Sequence, residues 1–145
     1  MNNLYLFARV ADTGVAVRAS EVEAVVKLSG LSTIPGVPGH VAGLATLRSR
    51  VLTIIDIAAL ISGKCDPAEV RSYAIVSEIC GHSYGLLVDQ VIDICEVTEE
   101  ILPLRGRIDP AWQRYAEGVQ MREGEPHLLV SLGSFIEINM FVQAA

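Results

Sequence analysis

A thiol and an imidazole that could form a reactive pair stand close together at Cys80 and His82. A cysteine nucleophile needs a neighbouring base that takes its proton, and a third group that orients this base. Glycine and serine accompany the pair in a stretch with the composition of a turn, and no third group stands with them. A thiol-dependent enzyme that uses Cys80 therefore stays open as an alternative with little support.

Asp56 and Asp89 are the carboxylates that could act as a general acid and a general base. Each follows an apolar, strand-like run and precedes a predicted helical turn. An aspartate at such a step accepts hydrogen bonds from free backbone N–H groups and contributes about 1 kcal/mol. We therefore interpret both as helix N-caps. Ser20 and Glu23 similarly fit a capping box, in which each side chain accepts from the backbone N–H of the other.

Metal binding and disulfide bonding have no matching pattern in the sequence. A zinc site needs about four ligands, and closely spaced cysteine or histidine pairs usually supply them. The cysteines and histidines are scattered, without a C-x-x-C step, at Cys65, Cys80, Cys95, His40, His82 and His127. An odd number of cysteines also argues against a disulfide framework. We expect no metal and no cofactor.

The composition is that of an apolar, acidic chain. Of 145 residues, 51% are hydrophobic and 19% are charged, which is too apolar for a disordered protein. The net charge of -6 would repel a phosphate backbone, so we expect no nucleic-acid partner. No apolar run reaches the length of about 20 residues that spans a bilayer, and the first residues lack the basic region of a signal peptide. We therefore expect a cytoplasmic protein without direct membrane insertion.

Short runs rich in β-forming residues, separated by turn residues, fill most of the chain. The predicted strands cover residues 4–10, 15–18, 25–28, 41–47, 51–55, 72–79, 84–88 and 91–97, with a further strand near the end. Residues 48–50 form a tight corner between the fourth and fifth strands. A helix over residues 57–61 is expected to end at Gly63, and two prolines mark a loop over residues 34–39. A second helix is predicted after the last strand.

This pattern occurs twice along the chain. Setting Gly43 against Gly118 also sets Asp56 against Ser131, because both pairs are 75 residues apart. Aspartate and serine are both helix N-cap residues. The spacing therefore predicts a duplicated β unit, a strand meander followed by a short helix. Because barrel closure removes exposed strand edges, we expect two small barrels in a single domain over residues 1–145, divided near residue 70, with a groove between them.

Three segments carry a resemblance to a known family. The block VAGLATLRSRVLTIIDI, residues 41–57, closely resembles the CheW-like signature, in which a glycine-containing strand leads through an Asn-Leu-Arg-Gly corner to a strand that ends in Asp. Residues 84–91 resemble the second characteristic segment of the family, and residues 115–119 together with 127–132 resemble the third. The three segments stand in the family order and together cover nearly the whole chain.

The resemblance implies an all-β protein of two intertwined, five-stranded β-barrel subdomains without enzymatic activity. It also implies two partners, the cytoplasmic helical hairpin tip of a chemoreceptor and the regulatory domain of the chemotaxis histidine kinase. The chain is then expected to be an adaptor that couples receptor to kinase and is recruited to membrane-associated receptor arrays. The residues implied in partner binding are Arg48 of the corner, Gly43 of the strand before it, Val22 and Ala24.

Four residues depart from the family pattern: Thr46, Ser49, Thr53 and Ser131. Ser49 replaces the usual glycine of the corner, and a serine is strained there if the backbone needs a positive φ. A non-flagellar chemosensory pathway therefore stays open, as does, without the family, an all-β binding domain of unknown partner. Arg48 is expected to bind carboxylates or helix-end carbonyls of a partner, whereas Arg50 is expected to be a solvated charge.

Overall fold

Ten β-strands make up most of the residues that the computed structural model describes, which are 3–28, 41–62, 73–104, 106 and 108–136. The strands are β1 Leu4–Val10, β2 Thr13–Arg18, β3 Ala24–Lys27, β4 Val41–Leu47, β5 Arg50–Asp56, β6 Tyr73–Ile79, β7 His82–Val88, β8 Gln90–Glu96, β9 Ala116–Arg122 and β10 Glu125–Val130. The predicted all-β class is confirmed. The predictions for the loop over residues 34–39 and for Gly63 lie outside the described residues.

The helical elements among the described residues are short. They are α1 Ile57–Ser62, α2 Pro110–Gln113, the 3-10 turn Ala19–Glu21 and the helical residues 132–136. None of the helices within the described residues is long and apolar enough to cross a membrane.

The strands form two five-stranded sheets of the same topology. Sheet A has the order β8-β1-β2-β10-β9, and sheet B has the order β3-β6-β7-β5-β4. Exchanging β1–β5 with β6–β10 converts one order into the other. In each sheet one pair is parallel, β10 with β2 and β5 with β7, and the other pairs are antiparallel. The predicted repeat is visible in this symmetry, since β9 begins at Ala116, 75 residues after β4 begins at Val41.

The sheets do not follow the division near residue 70 that we predicted along the chain. Sheet A takes β1 and β2 from before this point and β8, β9 and β10 from after it. Sheet B takes β3, β4 and β5 from before it and β6 and β7 from after it. The two halves of the sequence are therefore exchanged between the sheets. That the whole chain forms a single domain stays a prediction.

The predicted closure of each unit into a barrel is wrong, because both sheets are open. Within the described residues no backbone ladder joins the edge strands β8 and β9 of sheet A, or β3 and β4 of sheet B. In sheet A the outer edge of β9 is already occupied, since Leu102 and Val119 exchange two backbone hydrogen bonds of 2.8 Å. A side-chain hydrogen bond links the two edge strands of sheet A, since Arg122 of β9 donates to Asp93 of β8 at 3.3 Å.

Apolar side chains between the two sheets form the largest core. Examples are Leu6 and Val17 from sheet A, and Ile75 and Leu86 from sheet B. Each fully buried aliphatic side chain of this kind stabilises the fold by about 1.5–3 kcal/mol. The helical residues 132–136 add Phe135, whose ring stacks on Tyr115 at a centroid distance of 4.5 Å. This core fixes the two sheets against one another.

The small core within sheet A contains more polar side chains than the small core within sheet B. Three polar side chains of β9 and β10, Gln120, Arg122 and His127, pack inside it. The residues 75 positions earlier in sheet B are Ala45, Leu47 and Leu52. The buried imidazole of His127 lies edge-on to Phe7 at 4.9 Å, and its Nδ1 lies 3.1 Å from the Glu125 carbonyl oxygen. Burial lowers the pKa of His127 below its ordinary value, because the cationic ring would lose its hydration.

One of the predicted helix caps is confirmed. The buried Asp56 stands directly before α1, and its Oδ1 accepts a hydrogen bond of 3.3 Å from the Ala59 N–H. This bond satisfies one of the backbone donors that the first turn of a helix leaves free. Asp56 therefore acts as a structural group in the fold.

Two other capping predictions are wrong. The 3-10 turn begins after Arg18, and no side-chain hydrogen bond caps it, so Ser20 and Glu23 do not form a capping box. Asp89 precedes strand β8 and not a helix, and its carboxylate accepts a hydrogen bond of 2.8 Å from the Ala11 N–H. Asp89 therefore ties the β7–β8 connection to the β1–β2 turn.

His127 makes the stability of the fold dependent on pH. Its folded-state pKa is lowered, so between that pKa and about 6.5 the unfolded chain binds more protons than the folded chain. Stability is therefore full above about pH 6.5 and falls as the pH decreases through this window. We expect His127→Leu, which introduces the residue of the equivalent position in sheet B, to reduce the loss of melting temperature between about pH 7.5 and about pH 5.5.

The exposed His82 provides the control. His82→Gln should leave the pH dependence of the melting temperature as it is in the unmodified chain. An equally steep loss of stability in His127→Leu would show that other groups cause it.

Candidate functional site

The corner between β4 and β5 is a two-residue hairpin turn that presents Arg48 to solvent. The two strands pair up to Leu47 and Arg50. Between these residues, Arg48 and Ser49 have φ angles of 48° and 70°. Two consecutive positive φ angles are typical of a type I′ turn, whose twist matches that of the flanking strands. The Arg48 side chain is exposed, and within the described part of the chain it has no hydrogen bond or ion pair.

Arg50 is not the solvated charge that we predicted. Its Nη1 lies 3.0 Å from Oε1 of Glu23 in an ion pair, and the same nitrogen donates to the Ser83 hydroxyl at 3.4 Å. The two charged side chains remain 40% and 42% exposed. A pair this exposed contributes at most about 1 kcal/mol to stability. Its main effect is on position, because it joins β5 to the residue that precedes β3.

Val22 and Ala24 flank Glu23 in the connection from sheet A to sheet B, and we call these three residues segment 22–24. Val22 is half-buried against the core between the sheets, and Ala24 begins β3 opposite Val76. The Glu23 N–H donates to the Val76 carbonyl oxygen at 2.8 Å. The backbone of segment 22–24 is thus bound to β6, and the Glu23–Arg50 ion pair brings it together with the β4–β5 corner.

Gly43 has a role inside the sheet. It is buried in β4 with a φ of 152°, and the pairing of β4 with β5 shifts its register between Val41 and Gly43. Residues with side chains rarely adopt this φ, so the glycine permits the bulge. Strand β4 is the edge of sheet B opposite to β3. A contribution of Gly43 to binding therefore acts through the shape of β4, and the structure does not bring it into segment 22–24.

A cleft of about 500 Å³ lies beside the 3-10 turn. Its lining residues are Ser20, Glu21, Val22, Glu23, Ser77, Glu78, Ile79 and Gly133. Glu21 organises this cleft: its Oε1 accepts hydrogen bonds from the Leu132 N–H at 2.9 Å and from the Ser131 hydroxyl at 3.0 Å. Its carbonyl oxygen accepts a third, of 2.7 Å, from the Ser77 hydroxyl. Glu21 therefore joins the 3-10 turn to sheet B and to the start of the helical residues 132–136.

Sequence reasoning missed the partners of Glu21, Glu23 and Arg50. The sequence feature that could have indicated these contacts is the acidic stretch Ser-Glu-Val-Glu, residues 20–23, but it also fits a capping box. The serine, Arg50 and backbone groups that these carboxylates bind stand far away in the sequence, so the local pattern alone does not reveal them.

No catalytic or metal-binding group is assembled by the described residues. A cluster of three or more His, Cys, Asp or Glu side chains that could hold a metal ion does not occur among them. Cys80 lies in the turn between β6 and β7 with a φ of 52°, and His82 is exposed at the start of β7. Nothing in the described part of the chain favours the thiol-dependent alternative. The β4–β5 corner and segment 22–24 instead present the exposed Arg48 and two half-buried apolar residues, Val22 and Ala24.

A solved structure has the same class of fold. It is the scaffolding protein TtCheW from Thermoanaerobacter tengcongensis, which matches this chain with a TM-score of 0.78. The match covers 96% of this chain and 95% of the other, at 24% sequence identity. The two exchanged sheets are therefore a CheW-like fold.

Sequence comparison identifies the family. The CheW-like domain matches residues 4–138. The chemotaxis protein CheW of Rhizobium meliloti is 32% identical over 127 residues, which are 87% of this chain and 82% of that protein. The probable chemotaxis protein CheW of Rhizobium etli is also 32% identical, over 112 residues, 77% of this chain and 72% of the relative. The chain therefore belongs to the CheW-like family, as its three sequence motifs indicated.

Ser49 stores backbone strain that glycine would release. Of the four two-residue hairpin turns in the described residues, two have glycine at the second position, Gly81 and Gly124, and two have Asp12 and Ser49 there. A residue with a side chain at such a positive φ costs about 1 kcal/mol relative to glycine. We expect Ser49→Gly to raise the free energy of unfolding by about 1 kcal/mol in urea denaturation.

The reciprocal change at the equivalent turn is the matched control. Gly124 has a φ of 79°, and a Cβ added there would meet nothing within 4 Å. Gly124→Ser should therefore lower the free energy of unfolding by a similar amount through strain alone. An unchanged stability of Ser49→Gly would contradict the strain at the β4–β5 corner.

Proposed function

We propose that this chain is a non-enzymatic, cytoplasmic adaptor that couples a chemoreceptor to a chemotaxis histidine kinase. Membership of the CheW-like family supports this function, and one relative of the same fold is described as a scaffolding protein. The observation that carries the proposal is the exposed Arg48, which has no partner among the described residues and lies on the corner whose Arg50 pairs with Glu23 of segment 22–24. An arginine presented in this way has five donors available for a second protein.

The proposed partners are the cytoplasmic helical hairpin tip of the receptor and the regulatory domain of the kinase. A hairpin tip has a helix C-terminus, where the last backbone carbonyls lack partners within the helix. The Arg48 guanidinium can donate to such carbonyls or to a carboxylate with a charge-assisted hydrogen bond. Val22 and Ala24 provide apolar contact next to it, and Gly43 shapes the strand that leads to the corner. Recruitment to membrane-associated receptor arrays follows from binding the receptor.

We expect Arg48→Ala to weaken binding of the receptor tip and to leave the fold intact. Truncation of an exposed turn residue changes stability by only about 0.5 kcal/mol. Loss of a charged hydrogen-bonding group at an interface costs about 2 kcal/mol or more, which is roughly a thirtyfold increase in Kd. Titration calorimetry with a soluble receptor hairpin fragment measures the affinity, and a thermal melt measures the stability.

Arg114→Ala is the matched control, because Arg114 is also exposed but lies between α2 and β9, outside the β4–β5 corner. Arg50→Ala is unsuitable as a control, since it breaks the ion pair with Glu23. An unchanged Kd for Arg48→Ala would remove the corner from the binding surface. If the unmodified chain binds neither the receptor fragment nor the kinase regulatory domain at concentrations on the order of 50 μM, the proposed function is wrong.

A further inference from the structure

We propose that the Glu23–Arg50 ion pair is a positioning device that holds segment 22–24 against the β4–β5 corner and so completes the partner-binding surface. This inference rests on the proposed function, to which it adds two positioning residues. Neither residue needs to contact the partner itself. Each acts through its neighbours, Arg50 beside Arg48 on the corner and Glu23 between Val22 and Ala24.

The ion pair spans two strands of sheet B. Strands β6 and β7 lie between β3 and β5 in the hydrogen-bonded order. At a strand spacing of about 4.8 Å, β3 and β5 would be about 14 Å apart in a flat sheet. The Arg50 guanidinium nevertheless lies 3.0 Å from the Glu23 carboxylate, and it contacts Ser83 of β7 on the way. The ion pair therefore acts as a strap: it links the start of β3 to the start of β5 at one end of the sheet, although these strands are not hydrogen-bonded to each other.

The two arginines of the corner have different environments. The charge of Arg50 is balanced within the chain by Glu23. Arg48 has no hydrogen bond or ion pair within the described residues. The strap therefore sets the distance from the corner to segment 22–24 and leaves Arg48 for the partner.

The effect of the ion pair on the position of segment 22–24 can be separated from its effect on the stability of the fold. Both side chains are exposed enough that the ion pair contributes little to the stability of the fold. Without the pair, however, a partner has to bind two segments whose mutual distance is no longer fixed, and their ordering reduces its affinity. Loss of the pair should thus affect binding far more than the melting temperature.

Charge reversal tests this proposal with the full chain and a soluble receptor hairpin fragment as the probe. Glu23→Gln and Arg50→Gln are each expected to raise the Kd about threefold to tenfold, at a nearly constant melting temperature. The double variant Glu23→Arg with Arg50→Glu re-forms the pair with reversed charges and should return the Kd to within about twofold of the unmodified chain.

A second ion pair provides the matched control. Arg18 and Glu117 form a contact of 2.7 Å in sheet A with side chains 40% and 47% exposed, close to the values of Glu23 and Arg50. Glu117→Gln removes this pair and should leave the Kd unchanged. A rise in Kd equal to that of Arg50→Gln would show that any lost surface charge weakens binding, and would overturn the proposal.

Amide hydrogen exchange gives a readout that does not depend on the partner. The Glu23 N–H, bonded to the Val76 carbonyl oxygen, reports on segment 22–24. In Arg50→Gln this amide is expected to exchange at least about threefold faster, because local opening is no longer restrained by the pair. An unchanged exchange rate would overturn the positioning role, even if the unmodified chain binds no receptor fragment and the proposed function fails.

The binding data distinguish the remaining outcomes. If Arg48→Ala weakens binding and the Glu23 and Arg50 variants bind normally, the positioning role is wrong and the proposed function stands. If both single variants weaken binding and charge reversal does not restore it, Glu23 and Arg50 contact the partner directly, and the positioning role is again wrong. Restored affinity together with restored exchange protection in the double variant supports the proposal.

Discussion

The parallel pairing of β5 with β7, and of β10 with β2, is the constraint on which the rest of the structure depends. Parallel neighbours cannot be joined by a tight turn, so other strands stand between the two members of each pair along the chain: β3 to β9 between β2 and β10, and β6 between β5 and β7. The chain crosses from sheet A to sheet B after β2 and returns after β7. Each sheet is therefore completed only by strands from the other half, and the core between the sheets holds both halves together.

The two crossings differ in length, and the longer one includes Val22 and Glu23 of segment 22–24. Only Asp89 lies between β7 and β8, whereas residues 19–23 lie between β2 and β3. These five residues include Glu21, which binds the start of the helical residues 132–136, and Val22 and Glu23 of segment 22–24. The equivalent corners differ as well, because Arg48 and Arg50 on sheet B have acidic counterparts at residues 123 and 125 on sheet A. The two equivalent corners therefore carry opposite charges, and the proposed binding surface of sheet B has no counterpart of the same charge at the corner of sheet A.

Local sequence signals predicted much of this architecture. Runs rich in β-forming residues between turn residues indicated most strands, the 75-residue spacing from Gly43 to Gly118 indicated the repeat, and the corner with Arg48 was correctly placed. The resemblance implied intertwined subdomains, but the strands that are exchanged and the open sheet edges were not predicted, because a single sequence does not reveal which strands pair across the two halves. The roles of Glu23 and Arg50 were missed for the same reason. Glu23 and Arg50 are 27 residues apart in the sequence. The nearby Ser20 also fits a capping box with Glu23, and this local interaction is equally consistent with the sequence.

Coupling of receptor to kinase is the central claim, and co-sedimentation of the kinase with receptor-containing vesicles tests it most directly. The kinase is mixed with the vesicles in the presence and absence of this chain, the vesicles are pelleted, and the kinase in the pellet is measured. An adaptor predicts that the pelleted kinase increases with added chain and then saturates, and that the chain pellets with it. If the chain pellets with the receptor but the amount of pelleted kinase is the same with and without it, the adaptor function is contradicted.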